Sequence, residues 1–328
     1  MTMVEHANGV EQGFKHESRF FRDLSVINFV QNHIRNKFPQ GTHIADFACS
    51  QGQEAHSLAM LLSDLNHDKK YKITGYDIIP SAIEIAKKGF FVVENNKSES
   101  ILFTKPPSQT STGIHFFGSG AFALILNNLP TQTKSIIEVP EEQAQKIKKC
   151  FNDHFSTPAM TKKEIKEFLK KNFPNNKKPS DDYHIVVADR SKFANVLDFQ
   201  VGDIRQAGQI LNGNKPGAIL FNNALYHISG AQRDDYLIAR PSAARDVFNQ
   251  IYSALPDNGI FSMGRLSVDH LQPSYLHDTE EIIQNGQKIR VCQNTPIHKE
   301  LRNAGLEPIF YEKGSLHDSY VPAVWKKA

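Results

Sequence analysis

The 328-residue sequence is short of cysteine, of net charge and of long apolar runs, and each shortage excludes a class of protein. Its three cysteines, Cys49, Cys150 and Cys292, lie far apart without a C-x-x-C pair, which argues against disulfides and structural zinc and predicts free thiols in the cytoplasm. The formal net charge of +3 is spread along the chain, so nucleic acid is not an expected partner. No window holds about 18 uninterrupted apolar residues, and the N-terminus lacks the apolar core of a signal peptide, so no membrane span is expected.

Both ends of the sequence alternate between strand patterns and helix patterns. Helices are predicted at 20–37, 53–65, 81–90 and 240–255, strands at 42–49, 71–77, 196–203, 217–223 and 259–264, and a helix with two strands after residue 297. Strands that alternate with helices favour a mainly parallel sheet that is covered on both faces.

This alternation stops between residues 90 and 193. Two charged amphipathic helices, EEQAQKIKKCFNDHF and TKKEIKEFLKKNF, are predicted there, with a loop at 104–113 and a polar linker at 174–182. We interpret residues 93–193 as an inserted, mostly helical subdomain for substrate or partner recognition. It would interrupt a main domain of residues 42–92 and 194–328, which follows an N-terminal extension and lead-in helix at 1–41.

The turn after the first predicted strand, Ser50-Gln51-Gly52, has one glycine and no phosphate-binding lysine. A dinucleotide would favour G-x-G-x-x-G at this position, because the glycines let the backbone approach a pyrophosphate. An adenosine ligand without phosphate relaxes that demand, and Asp77, at the end of the second strand, is placed to accept hydrogen bonds from ribose hydroxyls. S-adenosylmethionine fits this description, while a helix N-cap just before Pro80 is the alternative role for Asp77.

Five segments resemble, in their order, the CheR-type methyltransferases, which esterify glutamates of chemotaxis receptors. The segments are SRFFRD (18–23), CSQGQEAHSLAM (49–60), GYDIIPSAIEIAKKGFF (75–91), LDFQVGDI (197–204) and ILFNNALYHIS (219–229). The resemblance implies a Rossmann-like class I methyltransferase fold, with a mainly parallel seven-stranded sheet and helices on both faces. It also implies S-adenosyl-L-methionine as the cofactor.

The same segments imply the residues of the cofactor site. By the resemblance, Glu54 and Arg22 help to hold the cofactor and Asp77 binds its ribose. The implied cofactor-binding residues are Ser18, Arg22, Ala48, Cys49, Ser50, Gly52, Glu54, Asp77, Ile78, Asp203, Ile204, Asn223 and Ala224.

The candidate catalytic residues are Asn223, Tyr226 and His227. A carboxylate acceptor is ionised at pH 7 and needs no general base. An amine or hydroxyl acceptor could give its proton to His227, while Tyr226 or Asn223 positions it. His227 stands where the family has a tyrosine, and a histidine at the rim of the sheet with no catalytic role is the alternative.

The acceptor is the least constrained part of the prediction. We expect no receptor-docking domain before SRFFRD, which points away from chemotaxis receptors. The inserted helices carry Lys146, Lys148, Lys149, Lys162, Lys163, Lys166, Lys170 and Lys171, which favours a protein substrate with an acidic surface. The expected activity is therefore methyl transfer to a carboxylate or nitrogen of a protein side chain, by a monomer or weak dimer.

Three alternatives to that activity stay open. The first is a degenerate protein that binds the cofactor and serves as an interaction module. The second is a small-molecule methyltransferase. The third is a nicotinamide-dependent oxidoreductase, which the absence of the second and third glycines disfavours.

Overall fold

The computed structural model of the protein describes most of the regular elements of the chain. The described residues are 20–21, 23–63, 71–94, 114–117, 121–124, 141–156, 158, 161, 163–164, 166–167, 170, 183–222, 224–229, 241–264, 279–292, 294–313 and 320–328. Two predicted segments, the loop at 104–113 and the linker at 174–182, lie outside them. Among the helices of the described residues, none combines the length and the apolar composition that a membrane crossing requires.

The strands are β1 (His43–Phe47), β2 (Lys72–Asp77), β3 (Phe90–Glu94), β4 (Ile114–Phe117), β5 (Ala121–Leu124), β6 (Phe155–Ser156), β7 (Tyr183–Ala188), β8 (Leu197–Val201), β9 (Ala218–Leu220), β10 (Ile260–Ser262), β11 (Thr279–Gln284), β12 (Gln287–Cys292), β13 (Leu306–Lys313) and β14 (Tyr320–Lys327). The α-helices are α1 (Leu24–Lys37), α2 (Gln53–Ser63), α3 (Pro80–Lys88), α4 (Glu141–His154), α5 (Arg190–Phe193), α6 (Ala207–Ile210), α7 (Tyr226–Ser229), α8 (Arg245–Ala254) and α9 (Pro296–Asn303). Two 3-10 helices, Ile204–Gln206 and Pro241–Ala244, precede α6 and α8.

Nine strands of the described residues form one sheet, in the order β11-β12-β14-β10-β9-β1-β2-β8, with β13 paired to β14. Strand β1 lies between β2 and β9 and runs parallel to both, and the parallel pairing continues outward to β8 and β10. Strand β14 runs antiparallel to β10 and β13. The predicted α/β fold with a mainly parallel sheet is confirmed.

The predicted number of seven strands is wrong, because the hairpin β11–β12 adds two strands at one edge. Its turn is Asn285-Gly286, where both residues have positive φ, 51° and 76°. Asn-Gly is the favoured pair for a two-residue hairpin turn because both residues tolerate this conformation. The sequence therefore carried a hairpin signal in a segment for which no elements were predicted.

Both faces of the sheet are covered by buried side chains. Ile44 of β1 packs into a cluster with α1 and α2, whereas Phe47 of the same strand packs into a second cluster with α8 and α9. Successive residues of a strand point to opposite faces, so Ile44 and Phe47 lie on different faces and β1 is buried on both sides.

Helix α4 of the predicted insert packs on the main domain. Its residues Ile147, Cys150 and Phe151 belong to the same buried cluster as α1 and α2, and the Cys150 thiol lies 3.3 Å from the carbonyl oxygen of Met60. Strand β7 pairs antiparallel with β3 and β6, and these strands were not predicted. Helical residues at 163–164, 166–167 and 170 fall within the second predicted helix.

Candidate functional site

The turn between β1 and α2 has an unusual backbone. Ala48, Ser50 and Gly52 have φ angles of 58°, 53° and 86°, in the left-handed region that is unfavourable for alanine and serine. Two hydrogen bonds fix the turn to strand β2, because the Cys49 amide donates to the Tyr76 carbonyl at 3.0 Å and the Ser50 amide donates to Asp77 Oδ2 at 2.8 Å. The strained turn is therefore positioned by its neighbour in the sheet.

Asp77 joins the turn after β1 to the turn after β2. Its side chain is 7% exposed, and its Oδ1 accepts a 2.9 Å hydrogen bond from the Ile79 amide while Oδ2 accepts from Ser50. The N-cap of α3 is Ile79, so Asp77 is not the N-cap residue that was the alternative prediction. Each carboxylate oxygen has a second lone pair, which leaves acceptor capacity for ligand hydroxyls.

Glu54 lies in the first turn of α2 and is buried, with 9% exposure. The Asn222 side-chain amide donates to Glu54 Oε1 at 2.7 Å, and the Ser262 hydroxyl donates to Asn222 Oδ1 at 2.7 Å. Ser262 thereby fixes which end of the amide faces Glu54, since only the NH₂ group can donate. Asn222 was not among the predicted site residues, and Asn223, which was predicted there for cofactor binding and catalysis, lies outside the described residues.

A third buried carboxyl group, Asp46 of β1, was also missed. Its side chain is 1% exposed, and its Oδ2 accepts no hydrogen bond from the described residues. Burial raises its pKa well above the usual value, and the nearby charges of Glu54 and Asp77 and a hydrogen bond with Glu54 add to this shift. A single acidic residue inside the apolar strand HIADF was the signal that could have identified it.

Cys49 and Gly52 have structural roles in this turn. Burial raises the pKa of the Cys49 thiol well above its usual value, with further contributions from Asp46 and Asp77, so the thiol is neutral. A Cβ at Gly52 would lie 2.8 Å from ring atoms of Phe199 and 3.0 Å from Cβ of Ala86. The glycine is therefore required by packing as well as by its positive φ.

The adjacent end of the sheet presents apolar surface. Ile78 follows β2 and is 36% exposed, and Val201 ends the neighbouring strand β8 and is 57% exposed. Val201 is paired with Asp77 in the sheet, so the two apolar side chains lie close to the carboxylate. Val201 was not among the predicted site residues.

Asp203 and Ile204 follow Val201. The Asp203 carboxylate accepts hydrogen bonds from the backbone amide of Arg205, at 2.9 Å, and from its guanidinium group. The Gly202 amide donates to the Asp77 carbonyl at 3.0 Å, which fixes this loop beside Asp77. Ile204 is buried, with 4% exposure, so its side chain contributes to the core.

The candidate catalytic segment follows β9, on the other side of β1 from Asp77. Ala224 is buried, and His227 lies in the short helix α7 with an exposed side chain. Desolvation by the surrounding protein lowers the pKa of His227 to about 4. Because the side chain is exposed, solvent reduces the size of this pKa shift. A pKa below the usual value still leaves the imidazole neutral at pH 7. Tyr226 lies in the same helix, while Ser18, Arg22 and Asn223 lie outside the described residues.

The residues present fit a cationic nucleoside without phosphate groups. Buried carboxyl groups of Asp46, Glu54 and Asp77 meet at the carboxyl ends of β1 and β2, and Oε1 of Gln53 also accepts no hydrogen bond from the described residues. Acceptors suit ribose hydroxyls and an ammonium group, whereas a phosphate would be repelled. No group of three or more described residues is arranged to hold a metal ion.

A family model decides between the possible ligands. Residues 16–102 match the model of the CheR methyltransferase, SAM-binding domain. The match confirms the predicted resemblance, the predicted cofactor and the enzyme class of S-adenosylmethionine-dependent methyltransferase.

Several solved structures are similar to this chain at low identity. PH0226 protein from Pyrococcus horikoshii OT3 is 13% identical, with a TM-score of 0.37 and coverage of 93% of this chain and 90% of that one. CalS10, an amino pentose methyltransferase from Micromonospora echinaspora, is 9% identical, with a TM-score of 0.37 and coverage of 100% and 98%. An S-adenosylmethionine-dependent methyltransferase from Clostridium acetobutylicum ATCC 824 is 10% identical, with a TM-score of 0.36 and coverage of 92% and 91%. No curated protein matches the sequence.

Proposed function

We propose that this S-adenosylmethionine-dependent methyltransferase transfers the methyl group to a carboxylate or nitrogen of a protein side chain. The observation that supports the site most strongly is the convergence of buried Asp46, Glu54 and Asp77 at the carboxyl ends of β1 and β2. In an open parallel sheet the ligand crevice lies at this edge, where the strand order reverses. Strand β1 lies at that reversal, between β2 and β9.

The chain has residues suited to bind the ribose, the adenine and the amino-acid portion of the cofactor. Asp77 would accept hydrogen bonds from the ribose hydroxyls, and Ile78 with Val201 would pack against the adenine. Glu54, held by Asn222, would face the cationic amino-acid portion. The bound cofactor supplies an electrophilic methyl group, so the protein has to align the acceptor and exclude water.

The acceptor side of the proposal rests on His227 and on the lysines of the insert. A neutral His227 could remove a proton from a nitrogen acceptor, whereas a carboxylate would need no base. Lys163, Lys166 and Lys170 recur at helical spacing and line one shallow surface with Glu167. This surface favours an acidic protein substrate over a small neutral metabolite.

Radiolabelled S-adenosylmethionine and a cell lysate test the proposal. We expect label on protein, and mild base should release it as methanol if the product is a glutamyl ester but not if it is an N-methyl group. Label found only on small molecules would show a small-molecule methyltransferase. Binding of S-adenosylhomocysteine without any label transfer would favour the degenerate interaction protein. Asp77→Ala, which we expect to bind the ligand poorly, is the control for that binding measurement.

Three other predictions remain proposals. They are the cytoplasmic location, the monomer or weak dimer, and the division that assigns residues 93–193 to a recognition subdomain. Because α4 contributes Ile147, Cys150 and Phe151 to the main core, any deletion that tests this division should retain that helix.

A further inference from the structure

The residues just before α1 have a strained backbone. Phe21 and Asp23 have φ angles of 53° and 51°, in the left-handed region that is unfavourable for residues other than glycine. Such residues keep this conformation only where the surrounding structure holds them. We call Phe20, Phe21 and Asp23 the entry turn, and its supports lie in other parts of the chain.

The first support is helix α2, which carries Glu54 in its first turn. The Phe21 amide donates to the Ser57 hydroxyl oxygen at 2.8 Å, and the Ser57 hydroxyl donates to the carbonyl oxygen of Gln53 at 2.7 Å. Ser57 is fully buried, so water does not compete for these hydrogen bonds. The position of the entry turn and the position of the helix end that presents Glu54 therefore depend on each other.

The second support is an aromatic cluster, part of which comes from residues 93–193. The ring of Phe20 makes edge-to-face contacts with Phe91 of β3, Phe151 of α4 and Phe155 of β6, at centroid distances of 4.8, 5.3 and 5.2 Å. Phe151 and Phe155 stack on each other at 4.4 Å. Because aromatic contacts of this kind have preferred geometries, the cluster fixes the orientation of the Phe20 ring.

Phe155 also contacts helix α2 directly. Its ring centroid lies 5.9 Å from that of His56, and Nδ1 of His56 lies 2.8 Å from the carbonyl oxygen of Gly52. A carbonyl oxygen only accepts, so Nδ1 carries the proton and donates it to this bond. Gly52 belongs to the strained turn after β1. Phe155 therefore contacts one residue beside each of the two strained turns.

We propose that Phe155 is a positioning residue for cofactor binding, which holds Phe20 and His56 in place and through them the entry turn and the turn after β1. This inference rests on the proposed function, because it takes the same cofactor site. It gives residues 93–193 a role in cofactor binding in addition to the recognition role that the sequence predicts. Without the Phe155 ring, the strained turns would relax in some ligand-free molecules. The affinity would then fall in proportion to the fraction that stays competent to bind.

Calorimetry of the full chain with S-adenosylhomocysteine, well below the melting temperature, tests this role in Phe155→Leu. Leucine keeps an apolar side chain but loses the ring contacts with Phe20 and His56. We expect the Kd to rise by about 3-fold to 10-fold, which corresponds to the energy of one aromatic contact. Phe151→Leu, which also loses a contact with Phe20, should weaken binding too and serves if Phe155→Leu does not fold.

Phe310→Leu is the matched control. It makes the same change in β13 and loses a stacked contact with Phe29 at 4.6 Å, outside the aromatic cluster. A residue that contributes only to global stability changes the melting temperature but not the Kd of the folded protein. We therefore expect Phe310→Leu to melt at a lower temperature and to bind S-adenosylhomocysteine as the wild type does.

A double-mutant cycle tests whether Phe155 acts through the entry turn. Phe20→Leu should also raise the Kd, and the variant with both Phe20→Leu and Phe155→Leu should lose less affinity than the sum of the two single losses, because both remove the same contact. Additive losses would show that Phe155 does not act through Phe20 and would overturn the inference.

The remaining outcomes separate this inference from the proposed function. An unchanged Kd in Phe155→Leu and Phe151→Leu overturns the inference and leaves the proposed function intact. An equal rise in Kd for Phe310→Leu does the same, because it would show a general effect of core destabilisation. If S-adenosylhomocysteine gives neither heat nor a shift in melting temperature with the wild type, the proposed cofactor site fails and the inference fails with it.

Discussion

The side-chain amide of Asn222 donates a 2.7 Å hydrogen bond to Oε1 of Glu54, although the two residues lie 168 positions apart in the sequence. The bond joins the turn after β9 to the first turn of α2, on either side of the end of β1. It explains why Glu54 has a fixed orientation in the site. Ser262 of β10 donates to the Asn222 amide and so fixes its orientation. Asn222 and Ser262, from two distant parts of the chain, together orient the Glu54 carboxylate.

Asn222→Ala should weaken binding of S-adenosylhomocysteine, because Glu54 loses its donor. A lost hydrogen bond to a charged group costs about 1.5–3 kcal/mol, so we expect the Kd to rise by about 10-fold to 150-fold. Calorimetry measures the change. Asn249→Ala, an exposed position of α8, is the control and should bind as the wild type does. An unchanged Kd for Asn222→Ala would show that the orientation of Glu54 does not matter for binding.

Asp77→Ala should remove most of the thermal stabilisation that S-adenosylhomocysteine provides. The ribose hydroxyls lose their acceptor, and the amides of Ser50 and Ile79 lose theirs, so the ligand-free protein should also melt at a lower temperature. Thermal melts with and without ligand separate the two effects. Asp257→Ala, in an exposed turn, is the comparison, and ligand stabilisation equal in the two variants would contradict the assigned role.

Gly52→Ala should destabilise the protein far more than Gly213→Ala. Both glycines have positive φ, 86° and 73°, so both substitutions carry the backbone cost of about 1 kcal/mol. Only at Gly52 would the added Cβ overlap Phe199, whereas no atom lies within 4 Å of the corresponding position at Gly213. Urea unfolding of the two variants measures the difference, which we expect to be about 1–3 kcal/mol. Similar losses would mean that Phe199 moves aside freely.

His227→Gln should lower kcat by a similar factor at pH 6 and at pH 9 if the acceptor is a nitrogen. The lowered pKa favours the neutral imidazole across this range, so it can accept a proton at either pH. Loss of a general base costs about 100-fold to 10,000-fold in rate. A carboxylate acceptor needs no base, so a change of kcat below about threefold would identify that chemistry instead.

Acid should destabilise the protein through His56, which is buried with its Nδ1 2.8 Å from the carbonyl oxygen of Gly52. Burial lowers its pKa from 6.5 to about 4. The unfolded chain therefore binds a proton between pH 6.5 and 4 that the folded protein excludes, so this contribution to stability is lost as the pH falls through that range. The expected loss is about 2–3 kcal/mol.

His56→Phe tests this pH dependence. Phenylalanine retains the packing against Phe91, Phe193 and Phe199 but cannot take up a proton. The free energy of unfolding from urea titrations at pH 7 and pH 4 should fall less in the variant than in the wild type. An equal fall in both proteins would assign the acid sensitivity to other groups.

The sequence by itself determined the order of most elements and the class of ligand. The period of apolar residues, Pro80 at the start of α3, and Gly89 with its φ of 65° at the end of that helix are local features. Local features act through nearby backbone geometry, so they can be read without the fold. The segments around Gly52 and Asp77 likewise carried the family resemblance. Even the missed hairpin had its local signal in Asn285-Gly286.

Only the tertiary structure decided which side chains meet at the site. Asn222 reaches Glu54 because β9 lies beside β1, and that pairing joins strands from the two opposite halves of the sequence. Asp46 and Glu54 influence each other because the end of β1 and the first turn of α2 bury both carboxyl groups. The contact of Phe199 with Gly52 depends on β8 lying at the edge of the parallel strands. Strand order is set by the burial of the whole sheet, which no local pattern specifies.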